Sequence, residues 1–134
     1  MMEQWQKCKT KAPNAILLFR LGDFYEGFYE DAQILSEELD LTLTKRQEVP
    51  MAGVPATTIE SYIEKLVAKG HLVAIAEQME NANEVKGIVR RDIARIVSPA
   101  THIESKQVPE KRNNFFACTH KLNSTIGISF LDMS

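Results

Sequence analysis

The apolar and polar positions along this chain change their period several times, and each change predicts an element. Met2 to Thr10 has the spacing of a short helix, ended by Pro13. Ala15 to Leu21 is a continuous apolar run carrying one Arg, the signature of a buried strand stopped at Gly22-Asp23. Asp23 then occupies an N-cap position with Glu26 three residues on, a capping-box spacing that predicts a helix from there to about Leu39. Tyr25, Phe28, Ala32, Leu35 and Leu39 would form its apolar stripe. Leu41 to Thr44 alternates with period two and reads as a half-buried strand.

Two prolines bracket a glycine in Pro50-Met51-Ala52-Gly53-Val54-Pro55, which predicts a stiff, shaped loop. Thr57 and Glu60 repeat the capping-box spacing, and Ile59, Tyr62, Ile63, Leu66 and Val67 follow with the period of an amphipathic helix stopped by Gly70. Leu72 to Ala76 reads as a buried strand, Asn81 to Gly87 as a loop, and Arg90 to Val97 as a strand ending before Pro99. The order implies an α/β fold, a mixed β-sheet flanked by helices. Ser105 to Asn114 is polar and reads as a linker, and Phe115 to His120 with Thr125 to Leu131 as a hairpin. A lone hairpin is not independently stable. The expected organisation is therefore a domain over 1–104, a linker over 105–114, and over 115–134 the first hairpin of a second domain that the chain enters but does not complete.

Composition narrows the function classes. At 134 residues, 44% hydrophobic and 25% charged, the chain can bury a core, and no apolar run approaches the ~20 residues of a membrane span. Cys8 and Cys118 form no C-x-x-C pair, and the three histidines, His71, His102 and His120, lack ligand spacing. No phosphate loop and no dinucleotide fingerprint occurs. The net charge of −2 argues against a simple electrostatic nucleic-acid binder, but it is unevenly spread. Arg20 to Asp40 holds seven acids against one base, which leaves 15 bases and 11 acids elsewhere.

Four carboxylates, Asp23, Glu26, Glu30 and Asp31, crowd the start of the expected second helix. First-turn acids are favoured by the helix dipole, whereas a metal or general-acid site needs carboxylates converging from different elements. Phe24, between two glycines at the mouth of a strand-to-helix turn, is either a core-edge aromatic or an exposed ring open to a ligand. Lys45 and Arg46 lead into the proline-bracketed segment, and Lys86, Arg90, Arg91 and Arg95 cluster within ten residues, with only Asp92 against them. Such charges form a solvated face or contact phosphate.

These blocks occur together and in order: Leu17 to Glu26 (LLFRLGDFYE), Leu41 to Arg46 (LTLTKR), Pro50 to Pro55 (PMAGVP), and Ile88 to Arg91 (IVRR) ahead of Arg95 to Thr101 (RIVSPAT). In that combination the chain resembles the N-terminal mismatch-recognition domain of the MutS family of DNA mismatch repair proteins, and its tail resembles the start of that family's connector domain. The resemblance implies a non-enzymatic DNA-reading module. Phe24 would be inserted from the minor groove onto a mispaired or unpaired base, Glu26 would hydrogen-bond the displaced base, and Met51 would be an auxiliary contact. Lys45, Arg46, Arg90, Arg91 and Arg95 would be backbone contacts. It further implies a double-stranded DNA partner carrying mismatches or small insertion/deletion loops. For the full-length protein it implies a homodimer, a MutL-type partner, ATP and Mg²⁺ used by a domain outside this chain, and a bacterial cytoplasmic, nucleoid-associated setting. The chain departs from the family in a short Lys45–Pro50 segment, in Ala100, and in Gly27, which would loosen the expected helix start.

Two other classes make different demands. A metal-dependent enzyme would use Asp23, Glu26, Glu30 and Asp31 and lose its metal on Asp23→Asn. A protein-interaction domain would show no salt-sensitive DNA binding.

Overall fold

A computed structural model describes residues 1–80, 87, 89–99 and 115–132. It divides into two units, Met1–Pro99 and Ala100–Ser134. In the first, helix α1 (Met2–Lys11) precedes β1 (Ile16–Leu21) and β2 (Phe24–Phe28). Helix α2 (Glu30–Leu39) follows, then β3 (Thr44–Arg46), β4 (Val49–Pro55), a 3-10 turn and α3 (Ile59–Ala68). Strands β5 (Val73–Gln78) and β6 (Arg91–Val97) complete it. The strands form one six-stranded mixed sheet in the order β3-β4-β2-β1-β5-β6. Only β1 and β5 pair in parallel, side by side in the interior of the sheet. Both are apolar throughout their buried portions because helices cover both faces of the sheet there. The Arg90–Val97 strand appears as β6, one residue later.

One face packs against α2 and α3 through Leu18, Tyr25, Ala32, Leu35, Val54, Ile63, Leu66 and Ile75. The other packs against α1, where Trp5, Cys8 and Ala12 meet Leu17, Phe19, Phe28, Ala74 and Ala76. A buried ion pair fastens α1 to α2. Lys9 Nζ lies 2.7 Å from Asp31 Oδ1, and the Leu17 N–H donates to Asp31 Oδ2 at 3.1 Å. Burial pushes the Asp31 carboxyl above its ordinary range, against the pull of those two donors.

The structure differs from the sequence pattern in four places. Asp23 does not cap a helix. Gly22, at φ +61°, and Asp23 are the two-residue turn of a β-hairpin in which Leu21 pairs with Phe24. Glycine at the first turn position with positive φ is the type II′ arrangement, whose twist suits a hairpin. Phe24 to Phe28 is therefore a strand, and the helix begins only at Glu30. Tyr25 and Phe28, placed in one helical stripe by their spacing, point to opposite faces of the sheet. Gly27 is consequently not a loosening at a helix start. It lies in β2 beneath α2, where a Cβ would run into Leu35 Cδ1.

The proline-bracketed segment is strand β4, with neighbours on both sides. It tolerates its prolines because they sit towards its ends. Pro50 lies beyond the last β2 partner, Met51, and its carbonyl accepts the Tyr29 N–H at 3.1 Å; Pro55 closes the ladder opposite Phe24. The strand expected at Leu41–Thr44 starts only at Thr44, because Leu41 turns aside to pack on the α2–α3 core. At α3 the N-cap is Thr58 rather than Thr57, and it makes no side-chain capping bond.

The second unit, as described, is the antiparallel hairpin β7 (Phe115–Leu122) and β8 (Thr125–Asp132). The expected linker over 105–114 and most of the Asn81–Gly87 loop lie outside the described residues. Among the described residues, no helix is long and apolar enough to cross a membrane.

Candidate nucleic-acid interface

Strand alternation gathers the central residues of the site. Across β1, β2, β4 and β3, partners share a face: Leu21 with Phe24 and Pro55, Phe19 with Glu26 and Gly53, Phe28 with Met51 and Thr44, and Val49 with Arg46. This is the α1 face, opposite the α2–α3 core. At the hairpin end it leaves the Phe24 ring 48% exposed. Phe24 thus sits on a strand paired on both sides, with its side chain about half exposed. Tyr25, its neighbour, anchors the strand from below. Its ring lies in the core under the Arg20 guanidinium, 4.9 Å from the ring centre, and its hydroxyl donates to Glu77. Burial and that bond raise the Tyr25 pKa, which keeps the hydroxyl protonated.

Glu26, two residues on, shares the Phe24 face and its side chain is only 13% exposed. Arg46 Nη1 donates to its Oε2 at 2.6 Å, reaching from the edge strand β3 across β4. The strand between them carries Gly53 opposite Glu26, and a Cβ there would lie 3.3 Å from Glu26 Cγ. Met51 borders the same ground. Thr44 Oγ1 donates to its carbonyl at 3.1 Å and lies 3.7 Å from its sulfur. An exposed ring, a held carboxylate and a thioether therefore stand on one shelf of sheet.

The basic residues separate. Arg46 is on the shelf. Arg91 shares that face but is occupied. Its Nε donates to the Arg20 carbonyl at 2.6 Å, Nη1 to the Val89 carbonyl at 2.8 Å, and the guanidinium stacks on Phe19. Burial lowers its pKa. Arg90 is exposed beside it. Lys45 and Arg95 belong to the opposite face: Lys45 pairs across the ladder with Pro50 and lies 3.5 Å from Glu48, and Arg95 is bonded to Glu60 of α3.

The four acids do not converge either. Asp23 sits in the hairpin turn, Glu26 is bound to Arg46, Asp31 is buried against Lys9, and Glu30 opens α2. Among the described residues no three His, Cys, Asp or Glu side chains gather as metal ligands. The acidic cluster read from the sequence is a cluster along the chain only. Gly53 and Thr44 were not singled out as site residues in the sequence. Period-two alternation through β3 and β4 would have found both, once the proline-bracketed segment was read as a strand.

Residues 1–106 match the family MutS domain I. Over its full 134 residues the chain is 58% identical to the DNA mismatch repair protein MutS of Protochlamydia amoebophila and 48% identical to that of Chlamydia trachomatis serovar L2b. It is also 48% identical, over 139 aligned residues, to the DNA mismatch repair protein MutS of Halothermothrix orenii. In each comparison all of this chain is covered, and it spans 16% of the relative's length. With the family match reaching from the first residue through all of the six-stranded sheet, this chain belongs to the MutS domain I family.

Proposed function

We propose that the chain is the mismatch-reading module of a DNA mismatch repair protein, with Phe24 as the wedge, Glu26 as the acceptor for the displaced base and Met51 as an auxiliary contact. The observation that carries this reading is an exposed aromatic at the free end of a sheet hairpin, with a carboxylate on the same face two residues away. A mispaired or unpaired base stacks poorly, so extruding it costs less than extruding a paired one. An apolar wedge entering the minor groove therefore kinks the duplex most readily at such a site. Leu21 and Pro55 pair with Phe24 on both sides, so its backbone is ordered before insertion and the entropy cost of placing the ring is reduced.

Glu26 gives the wedge selectivity. A carboxylate near phosphates is unfavourable unless it accepts a hydrogen bond, and a displaced base offers a donor where a stacked matched pair does not. Double-stranded DNA with mismatches or small insertion/deletion loops is the partner this chemistry fits. Arg90, exposed beside Arg91, is the backbone contact we assign; Lys45 and Arg95 would reach a duplex only around the sheet. ATP, Mg²⁺, a homodimeric state and a MutL-type partner are proposals for a protein of the relatives' length. Within this chain no phosphate loop is present to hold a nucleotide.

The test compares matched and mismatched duplex binding by a full-length protein carrying this chain and by its Phe24→Ala and Glu26→Ala variants. Phe24→Ala is expected to remove the preference for the mismatch, and Glu26→Ala to narrow it by strengthening matched binding. An unchanged preference in Phe24→Ala would sink the wedge assignment.

A further inference from the structure

The Arg46–Glu26 pair assigns a role to Arg46 different from that of a phosphate contact. We infer that Arg46 is a positioning residue for Glu26, fixing which carboxylate oxygen faces the displaced base; this rests on the base-reading role of Glu26 proposed above. Arg46 Nη1 binds Oε2 at 2.6 Å, a charge-assisted hydrogen bond of the strong class. Among the described residues Oε1 has no such donor. A glutamate on a strand has three rotatable side-chain bonds, and Gly53, its partner in the β2–β4 ladder, contributes no side chain to restrict them. Packing therefore leaves the rotamer open on that side, and the guanidinium closes it.

The local backbone is built to deliver Arg46. It is the last residue of β3 and pairs with Val49 across a two-residue turn. Both turn residues, Gln47 and Glu48, have positive φ, 48° and 64°, the type I′ signature that fixes hairpin register. A one-residue slip would send Arg46 to the opposite face, where Lys45 now lies. The pair also balances charge. A lone Glu26 would meet the negative duplex unpaired, whereas Glu26 held by Arg46 approaches as a neutral unit with one acceptor free. Discrimination then comes from hydrogen bonding at Oε1, and bulk phosphate attraction contributes little.

A phosphate contact and a positioning residue leave different traces. The experiment measures matched and mismatched duplex affinity over a range of salt for the full-length protein carrying this chain, as wild type, Arg46→Met, Glu26→Ala and the double variant. Arg46 is 43% exposed on an edge strand, so Met, which keeps an unbranched apolar stem, leaves the core untouched. Arg46→Met is expected to lower the mismatch-to-match ratio by roughly three- to tenfold with an unchanged salt slope. The double variant is expected to match Glu26→Ala alone. If Arg46→Met lowers both affinities equally and reduces the salt slope by about one, Arg46 is a phosphate contact and the inference is overturned. Independent, additive effects of the two substitutions also overturn it while leaving Glu26 as the base reader. An unchanged ratio in Glu26→Ala overturns the base-reading role and this inference with it.

Discussion

Gly53 stands opposite Glu26 in the β2–β4 ladder, and the missing side chain at Gly53 leaves the space beside which the Glu26 side-chain stem runs. A Cβ at that position would come 3.3 Å from Glu26 Cγ and 3.4 Å from the Tyr25 carbonyl, tight enough that the neighbour must yield. The Tyr25 carbonyl is fixed in the ladder, so the glutamate is the group that moves. Gly53→Ala is therefore expected to disturb recognition more than folding. The mismatch-to-match ratio of the full-length protein should fall roughly threefold to tenfold, the scale of a mis-set charged hydrogen bond. Stability should stay within about 1 kcal/mol, because alanine is the better strand residue. Duplex binding and urea unfolding of the same variant check the two halves. A ratio that holds while stability drops would make Gly53 a packing residue only.

How much of this was legible from the sequence depends on whether the signal was local. Ile16 to Phe19 and Val73 to Ala76 read as buried strands because both faces are covered, and α3 reads as a helix because Ile59, Ile63, Leu66 and Val67 keep one phase. Phe24 to Phe28 misleads because two patterns overlap there. Tyr25 and Phe28 are three apart, which suits a helix, and the Asp23–Glu26 spacing suits a capping box. Gly22-Asp23 is equally a hairpin dipeptide, and the strand won because β1 and β4 supply ladder partners on both sides. The pairing of Glu26 with Arg46 joins residues 20 apart. It depends on the register of two hairpins and has no signature in any short window. The blocks resembling the MutS family marked Phe24, Glu26 and Met51, but not that they share one face.

The contact between Gly27 and Leu35 allows a test of the corrected strand. In a helix start, Gly27→Ala would be stabilising, since alanine is the stronger helix former. In β2 beneath α2 the added methyl meets Leu35 Cδ1 in a fully buried layer. Gly27→Ala is expected to destabilise the chain by about 1–3 kcal/mol, as overpacking does. Leu35→Ala in the same chain should recover part of that loss by making room, so the two effects should be clearly non-additive. Thermal or urea unfolding of the two single variants and the double variant gives the answer, and a stabilising Gly27→Ala would contradict the strand.

The turn between β3 and β4 stores strain that can be removed. Gln47 and Glu48 both hold positive φ, a conformation that costs an ordinary side chain about 1–2 kcal/mol and costs glycine little. The pair Gln47→Asn and Glu48→Gly installs the sequence that a type I′ turn favours. It should raise stability by about 1 kcal/mol. The loss of the Lys45–Glu48 ion pair, 3.5 Å apart between highly exposed side chains, should subtract almost nothing. Because the register is kept, mismatch preference should be retained. Urea midpoints together with duplex binding check both expectations, and a lower midpoint would mean that the turn is not strained.

Asp31 gives the fold a pH dependence whose sign can be stated. Its native pKa is raised, chiefly by burial, so the native state holds this proton more tightly than the unfolded chain does. Stability contributed by the group is therefore fully present below the ordinary carboxylate value of 3.8 and is lost as pH rises through the raised native value. Asp31→Asn removes the titration while keeping an oxygen that can accept the Leu17 N–H, and Lys9 retains the Ala15 carbonyl at 2.7 Å. The stability of the wild type relative to Asp31→Asn should accordingly be highest near pH 4 and decline towards pH 7. Asp31→Ala is the harsher change, since it leaves Lys9 without its ion-pair partner and the buried Leu17 amide without an acceptor. It should cost about 3 kcal/mol or more at neutral pH. Urea unfolding of the three proteins at pH 4, 5.5 and 7 measures these differences. A wild-type advantage that grows with pH would show that Lys9 outweighs burial and that the native carboxyl is held below its ordinary range instead.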